Sequence, residues 1–261
     1  MIETGIHDLA PAPAAASVSR RVLAQAVFDA RNMLRNGEQL LLTLVLPLLV
    51  LVGLSETTMV DLGTPFAGAR RIDVVAPGVL ALAVVSTSFT GQAIATGFDR
   101  RYGLLRLLGT TPLGRGGLLA GRVVAVLAVE VVQAVVLGGA ALMLGWRPHA
   151  AGLPIALLTA VLGTVTFVAL GLLLAGTLRA EAVLATANLA WVLLVAGGGL
   201  VVPSERLGPL SGVATWLPSG ALGDGLRTAL GRGHLPLTAL LVLLGWAVGA
   251  GLAADRWFHW D

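Results

Sequence analysis

Apolar residues come in six long runs along this chain, at about 39–56, 74–97, 118–144, 152–176, 183–202 and 235–254. Within each run Leu, Val and Ala follow one another without the strict alternation of a barrel strand. At about 20 residues apiece the runs suit helices that cross a bilayer. Pro47 interrupts the first run and Pro77-Gly78 opens the second. The connections at 145–151 and 177–182 are short, so the helices they join are antiparallel neighbours. The 203–234 segment, with Pro203, Pro209, Pro218 and several glycines, predicts two short helices outside the membrane or partly re-entering it, with Trp216 suited to the interface.

Ahead of the first run, residues 17–38 show a helical period. Val18, Val22, Ala26, Val27, Ala30, Met33 and Leu34 recur at three- and four-residue steps, while Arg20, Arg21, Gln25, Asn32 and Arg35 populate the other side. Such a basic amphipathic helix is expected to lie in the membrane interface. Residues 1–16 carry acids rather than arginines and a Pro-Ala run, which predicts a disordered cytosolic tail rather than a cleavable leader. The organisation expected is therefore a tail (1–16), an interfacial helix (17–38) and a six-helix transmembrane domain (39–261).

Composition agrees. Hydrophobic residues make up 56% of the 261 and charged residues only 12%, against about 25% charged in an ordinary soluble domain. A chain this apolar cannot cover a water-soluble globule, and a lipid-spanning backbone must satisfy its own hydrogen bonds. The fold class expected is an all-α polytopic membrane protein. The net charge of +3 does not point to nucleic acid, because no basic domain stands outside the membrane. There is no cysteine, and His7, His149, His234 and His259 are scattered. Thiol chemistry is excluded and no metal site is expected.

All 17 basic residues are arginine. A phosphate-binding P-loop needs a lysine to reach the β- and γ-phosphates, so this chain cannot supply that kind of ATPase site. The arginines also orient the chain. With the N-terminus inside, eleven (Arg20, Arg21, Arg31, Arg35, Arg100, Arg101, Arg106, Arg115, Arg122, Arg179 and Arg256) fall on the cytosolic side. Six (Arg70, Arg71, Arg147, Arg206, Arg227 and Arg232) fall outside. Positive residues accumulate on the cytosolic side, so both termini are expected there.

One stretch breaks the apolar pattern. Residues 97–117 read GFDRRYGLLRLLGTTPLGRGG, with Leu104, Leu105, Leu107 and Leu108 forming a short stripe among Arg100, Arg101 and Arg106. Thr111 before Pro112 ends the helix. A positive-inside loop would explain the arginines but not the leucines, and the stretch looks built to dock a partner protein.

The run FDRRYGLLRLLGTTPLGRGGLLAGRV resembles the first cytoplasmic loop of ABC-2 type permeases, especially the daunorubicin, multidrug and antibiotic exporter branch. Asp99, Arg100, Arg101, Gly103, Leu104, Leu107, Leu108, Thr111 and Pro112 match that pattern. Tyr102 stands where many members have a second acid, and Leu104 where many have threonine. APGVLAL at 76–82, six spans and a helical segment before the last span extend the resemblance over nearly the whole chain. The resemblance implies the transmembrane half of an ATP-driven exporter in the plasma membrane, not itself an enzyme, moving a hydrophobic or amphiphilic substrate. It implies a coupling helix over Asp99–Pro112, with Tyr102, Leu105 and Arg106 included, docked on a separate ABC ATPase that holds the ATP and Mg. It also implies a second permease subunit, identical or different, in contact with membrane lipid.

Inside the spans, Glu130 and Gln133 on the third run and Asn188 on the fifth are candidates for the substrate path or for coupling helices together. A carboxylate facing lipid is costly, so Glu130 should turn inward, be protonated, or pair with Asn188, Gln133 or Arg122. The other reading of Glu130 is a plain interhelical hydrogen bond. Gly163, Gly171, Thr159, Thr164 and Thr166 give the fourth run a small face for close packing, and Gly197–Gly199 predict a break at the outer end of the fifth. Two other classes stay open: a proton-coupled secondary transporter using Glu130, and a non-transporting scaffold or assembly factor.

Overall fold

The computed structural model describes residues 16–57, 62 and 69–257. Nearly all of the expected tail, 1–16, and the last four residues lie outside that set. The regular elements among the described residues are helical: α1 (Val18–Arg35), α2 (Gly37–Glu56), α3 (Arg71–Val85), a π-helical turn (Ser86–Gly91), α4 (Gln92–Arg101), α5 (Leu104–Gly109), α6 (Gly114–Met143), α7 (Leu153–Thr177), α8 (Ala180–Gly197), α9 (Ser211–Trp216), α10 (Pro218–Arg232) and α11 (Leu237–Trp257). This is the all-α polytopic architecture expected. Five helical segments, α3–α4, α6, α7, α8 and α11, are long and apolar enough to cross a membrane, and α2 adds a shorter apolar stretch at 43–56.

The span α3–α4 is the axis of the molecule. Ile72, Val74 through Val79 and Ala81 through Val85 are buried, whereas α8 and α11 leave Leu189, Leu193, Leu241 and Leu252 exposed. Leucines on the outside are what a lipid-facing surface requires, since hydrocarbon solvates them. Close approach to the axis comes from small residues on α7. A Cβ at Gly171 would lie 2.9 Å from the Phe89 carbonyl oxygen, and one at Gly163 would lie 2.7 Å from Leu222. The small face read from the sequence is thus a packing surface, with Thr159, Thr164 and Thr166 buried beside it.

Two helices are too long for the bilayer. The continuous span Arg71–Arg101 has 31 residues and α6 has 30, which at 1.5 Å per residue is about 45 Å. A hydrocarbon core is about 30 Å thick. The basic stretch at 97–117 joins the two.

The segment before the last span folds back along it. The indole N–H of Trp246, on α11, donates to the Trp216 carbonyl at 2.9 Å. Trp246 lies nine residues into α11, about 14 Å along it. From that depth α10 climbs back until the Leu230 carbonyl accepts the backbone N–H of His149 at 2.7 Å. Helices α9 and α10 therefore form a hairpin beside α7 and α11.

Three readings need correction. The fifth span ends at Gly197 rather than at 202, because Gly199 turns with φ +78°. The second begins at Arg71, and Pro77 lies inside it. On α1 the division is less clean than read: Arg20, Asn32 and Arg35 are exposed, but Gln25 and Asp29 face α6 together with Val22, Ala26 and Met33, while Leu23, Val27, Phe28 and Leu34 are exposed. An ion pair described below turns the helix this way.

Candidate functional site

At the end of α4, Gly103 adopts φ +76°, a left-handed turn that glycine makes without strain. It reverses the chain into α5. The hydroxyls of Thr110 and Thr111 donate to the carbonyls of Leu107 and Leu108 at 2.7 and 2.6 Å, closing the helix before Pro112. The two sides of α5 differ. Leu105 is fully buried in a cluster with Leu118, Val126, Val168 and Leu172, and Leu108 packs against it. Leu107 is 64% exposed and Tyr102 is 78% exposed, with Arg106 exposed beside them. The leucine stripe read from the sequence is thus split, with half gripping the protein and half facing outward.

Most charges of this stretch are spent within the chain. Arg100 donates to the Ala175 carbonyl at 2.9 Å, and Arg101 pairs with Glu181 on α8 at the exposed edge. Asp99 pairs with Arg122 of α6, which also lies 3.3 Å from Asp29 of α1. Gln25 donates to Asp29 at 3.0 Å, and Arg21 donates to the Pro112 carbonyl. Three elements, α1, α4 and α6, meet at one guanidinium. Burial pushes the Asp29 carboxyl above the usual carboxylate range, against the pull of Arg122. Among the candidate docking residues Arg106 is the arginine with no partner among the described residues.

The three membrane residues named from the sequence do not form one site. Glu130, 7% exposed, accepts from the Thr164 hydroxyl of α7 at 2.6 Å, and its other oxygen has no hydrogen-bond partner among the described residues. None of the partners suggested by sequence reaches it. Gln133 instead bonds Thr87 of the π turn at 2.9 Å and the Thr43 carbonyl of α2 at 3.3 Å. Asn188 is exposed on α8, where it lines a cleft of about 580 Å³ with Thr43, Ser86, Thr90, Ile94 and Trp191. The Trp191 indole donates to Ser86 at 2.9 Å. Ser86 and Ser88 donate back to the carbonyls of Leu82 and Val84, so their hydroxyls support the backbone where the helix widens into the π turn. The cleft is apolar with a polar seam on that turn.

Sequence reasoning missed Arg227, which it counted as an outer loop charge. The residue is 4% exposed. Its guanidinium binds the carbonyls freed where α8 unwinds, Gly199 at 3.0 Å, Val201 at 2.9 Å and Leu200, and pairs with Asp224 at 2.8 Å. Gly78 of α3 leaves room for it, since a Cβ there would meet Arg227 Nη2 at 2.8 Å. The signals were the Asp224/Arg227 spacing of three on a helix and the glycines of 197–199, which free carbonyls that need a donor.

The family model for the ABC-2 type transporter matches residues 21–230, from α1 through most of α10. The chain belongs to the ABC-2 type transporter family. It is a multi-pass membrane component of a transporter, not itself a catalyst, and permeases of this family work with ABC ATPases. Comparison with curated proteins yields no match.

Proposed function

We propose that this chain is the permease of an ATP-driven exporter, with α5 as the helix through which a separate ATPase moves it. One observation carries the reading. Helix α5 is anchored inward by Leu105 and presents Tyr102, Arg106 and Leu107 outward, at the tip of two spans that outreach the bilayer. Pushed from outside, such a helix moves α4 and α6 together, and Arg122 carries α1 with them. The ATPase shifts the permease only if one nucleotide state binds one conformation more tightly. ATP and Mg belong to that partner.

The cleft between α2, the π turn and α8 is the substrate path in this reading. Its apolar walls and its seam of Ser86, Thr90, Asn188 and Trp191 suit an amphiphile such as a drug, an antibiotic or a lipid-like molecule. A second permease, identical or different, would close its open side against exposed Leu46, Leu49, Leu189 and Val192. The arginine distribution supports an orientation in the plasma membrane with both termini in the cytosol. Coexpression with an ABC ATPase that copurifies with the chain, followed by nucleotide-dependent transport in vesicles, tests the proposal. Substrate movement that persists without any ATPase would reject it.

A second reading rests on Glu130, a buried carboxylate with one oxygen unbonded among the described residues. A proton-coupled transporter would use that group. It requires transport driven by a pH gradient and abolished by Glu130→Gln.

A further inference from the structure

Two cavities flank the hairpin of α9 and α10, away from the cleft already described. The first, of about 520 Å³, is a trough along α11 and α7 lined by Leu170, Trp216, Leu241, Gly245, Trp246 and Gly249. The second, of about 470 Å³, is a cup lined by Glu205, Thr215, Asp224, Arg227 and Arg232. Thr238 at the start of α11 borders both, and the neighbours Thr215 and Trp216 line one each, so the two cavities adjoin.

Each half has features that packing leaves unexplained. Gly163 and Gly171 on α7 are filled by neighbouring atoms, but nothing lies within 4 Å of a Cβ placed at Gly245 or Gly249. Their smallness opens a groove in place of seating a helix. Trp246 is fixed at the rim by its bond to the Trp216 carbonyl. The groove follows α11 from Thr238 to Ala250, twelve residues or about 18 Å, close to one leaflet of a hydrocarbon core about 30 Å thick. The cup brings two acids and two guanidiniums to the end of that groove. Arg227 forms its buried wall, and Arg227 Nε has no acceptor among the described residues.

We infer that the trough and cup together hold one resident phospholipid with a zwitterionic, amine-bearing head, its acyl chain against Gly245 and Gly249 and its head among Glu205, Asp224, Arg227 and Arg232. The trough carries no ionisable side chain and takes only hydrocarbon. The cup's balanced charges match a phosphate beside Arg232 and an ammonium beside Glu205. A purely anionic head would meet Glu205 and Asp224 unfavourably. The inference rests on the chain spanning a bilayer and not on the export reading, so failure of one leaves the other standing.

The test is native mass spectrometry of the chain, with its ATPase, after reconstitution in equal parts phosphatidylethanolamine and phosphatidylglycerol. One phosphatidylethanolamine should remain per permease chain. Gly245→Leu with Gly249→Leu should lower its retention about tenfold. Gly251→Leu, also in open space on α11 but outside the trough, should leave it unchanged. Glu205→Arg should move the preference toward phosphatidylglycerol. No retained lipid on the unmodified chain, preference for phosphatidylglycerol, or equal loss in the Gly251 variant would each overturn the proposal. Depletion of the bound lipid on adding ATP would also overturn it, because it would make the lipid cargo rather than a resident.

Discussion

Arg122→Met removes the guanidinium that joins three helices and keeps most of its apolar stem. Asp99 is partly open to solvent and can hydrate, but the Asp29 side chain, 6% exposed, cannot. Breaking a buried pair by deleting one partner costs about 3–5 kcal/mol, because the remaining charge stays desolvated. Most of that loss should fall on α1, whose other polar tie to Asp29 is Gln25 on the same helix. The expected result at neutral pH is a destabilisation of that size in denaturant unfolding of the purified protein, with hydrogen exchange fastest in α1. Lowering the pH should shrink the difference between variant and parent, since a protonated Asp29 needs no counter-ion. In the parent, burial raises the Asp29 carboxyl above its ordinary value of 3.8, so the folded state holds its proton to higher pH than the unfolded chain. This group's contribution is present at low pH and falls away as pH rises from 3.8 through the raised value. Asp29→Asn should flatten that slope. A variant within about 1 kcal/mol of the parent, the size of an exposed ion pair, would refute the reasoning. So would a difference that grows toward acid pH.

Other outcomes follow from the same geometry. Glu130→Gln should keep the bond from Thr164 and assemble normally, whereas Glu130→Leu loses it and leaves the hydroxyl on the Ala160 carbonyl at 2.9 Å, costing about 0.5–1.5 kcal/mol in detergent melting; equal stability of the two would make the contact incidental. Arg227→Met should strip the carbonyls of 199–201 of their donor, costing on the order of 3–5 kcal/mol and exposing 198–204 to proteolysis; an unchanged digest would contradict the clamp. In this cysteine-free chain, cysteine introduced at 5 or 261 should be shielded from an impermeant thiol reagent in intact cells, and cysteine at 211 should be labelled. Labelling of either terminus from outside would overturn the orientation.

The spans were legible because bilayer thickness forces length and apolarity on any helix that crosses, whatever it packs against. The island at 97–117 was legible for the converse reason, since its arginines and leucines interrupt that pattern. Facing was hidden. Helices such as α7 and α8 are apolar all round, so their periodicity does not say which side meets lipid. Pairing was hidden too. Nothing near Arg122 in sequence names Asp29 or Asp99, 93 and 23 positions away, and the tally that oriented the chain treated buried Arg227 as it treated exposed arginines. Gly199 announced a break, but only the fold shows that an arginine from α10 receives the carbonyls the break sets free. The π turn at Ser86–Gly91 left no mark in the hydropathy, being a widening of an otherwise continuous helix.

The central claim is that the outward side of α5 receives an ATPase, and Arg106→Glu with Leu107→Asp tests it most directly. Both residues are exposed, so the change alters the contact surface and leaves the core alone. A change at Leu105 would not serve: that side chain is buried, and its truncation should cost about 2–5 kcal/mol of stability regardless of any partner. The measurement is copurification of the ATPase with the tagged permease from membranes, alongside the melting temperature of the permease. The ATPase should be lost while the melting temperature and membrane yield stay at the parent values. An ATPase that still copurifies in full with the doubly substituted chain, and still drives transport, would contradict it.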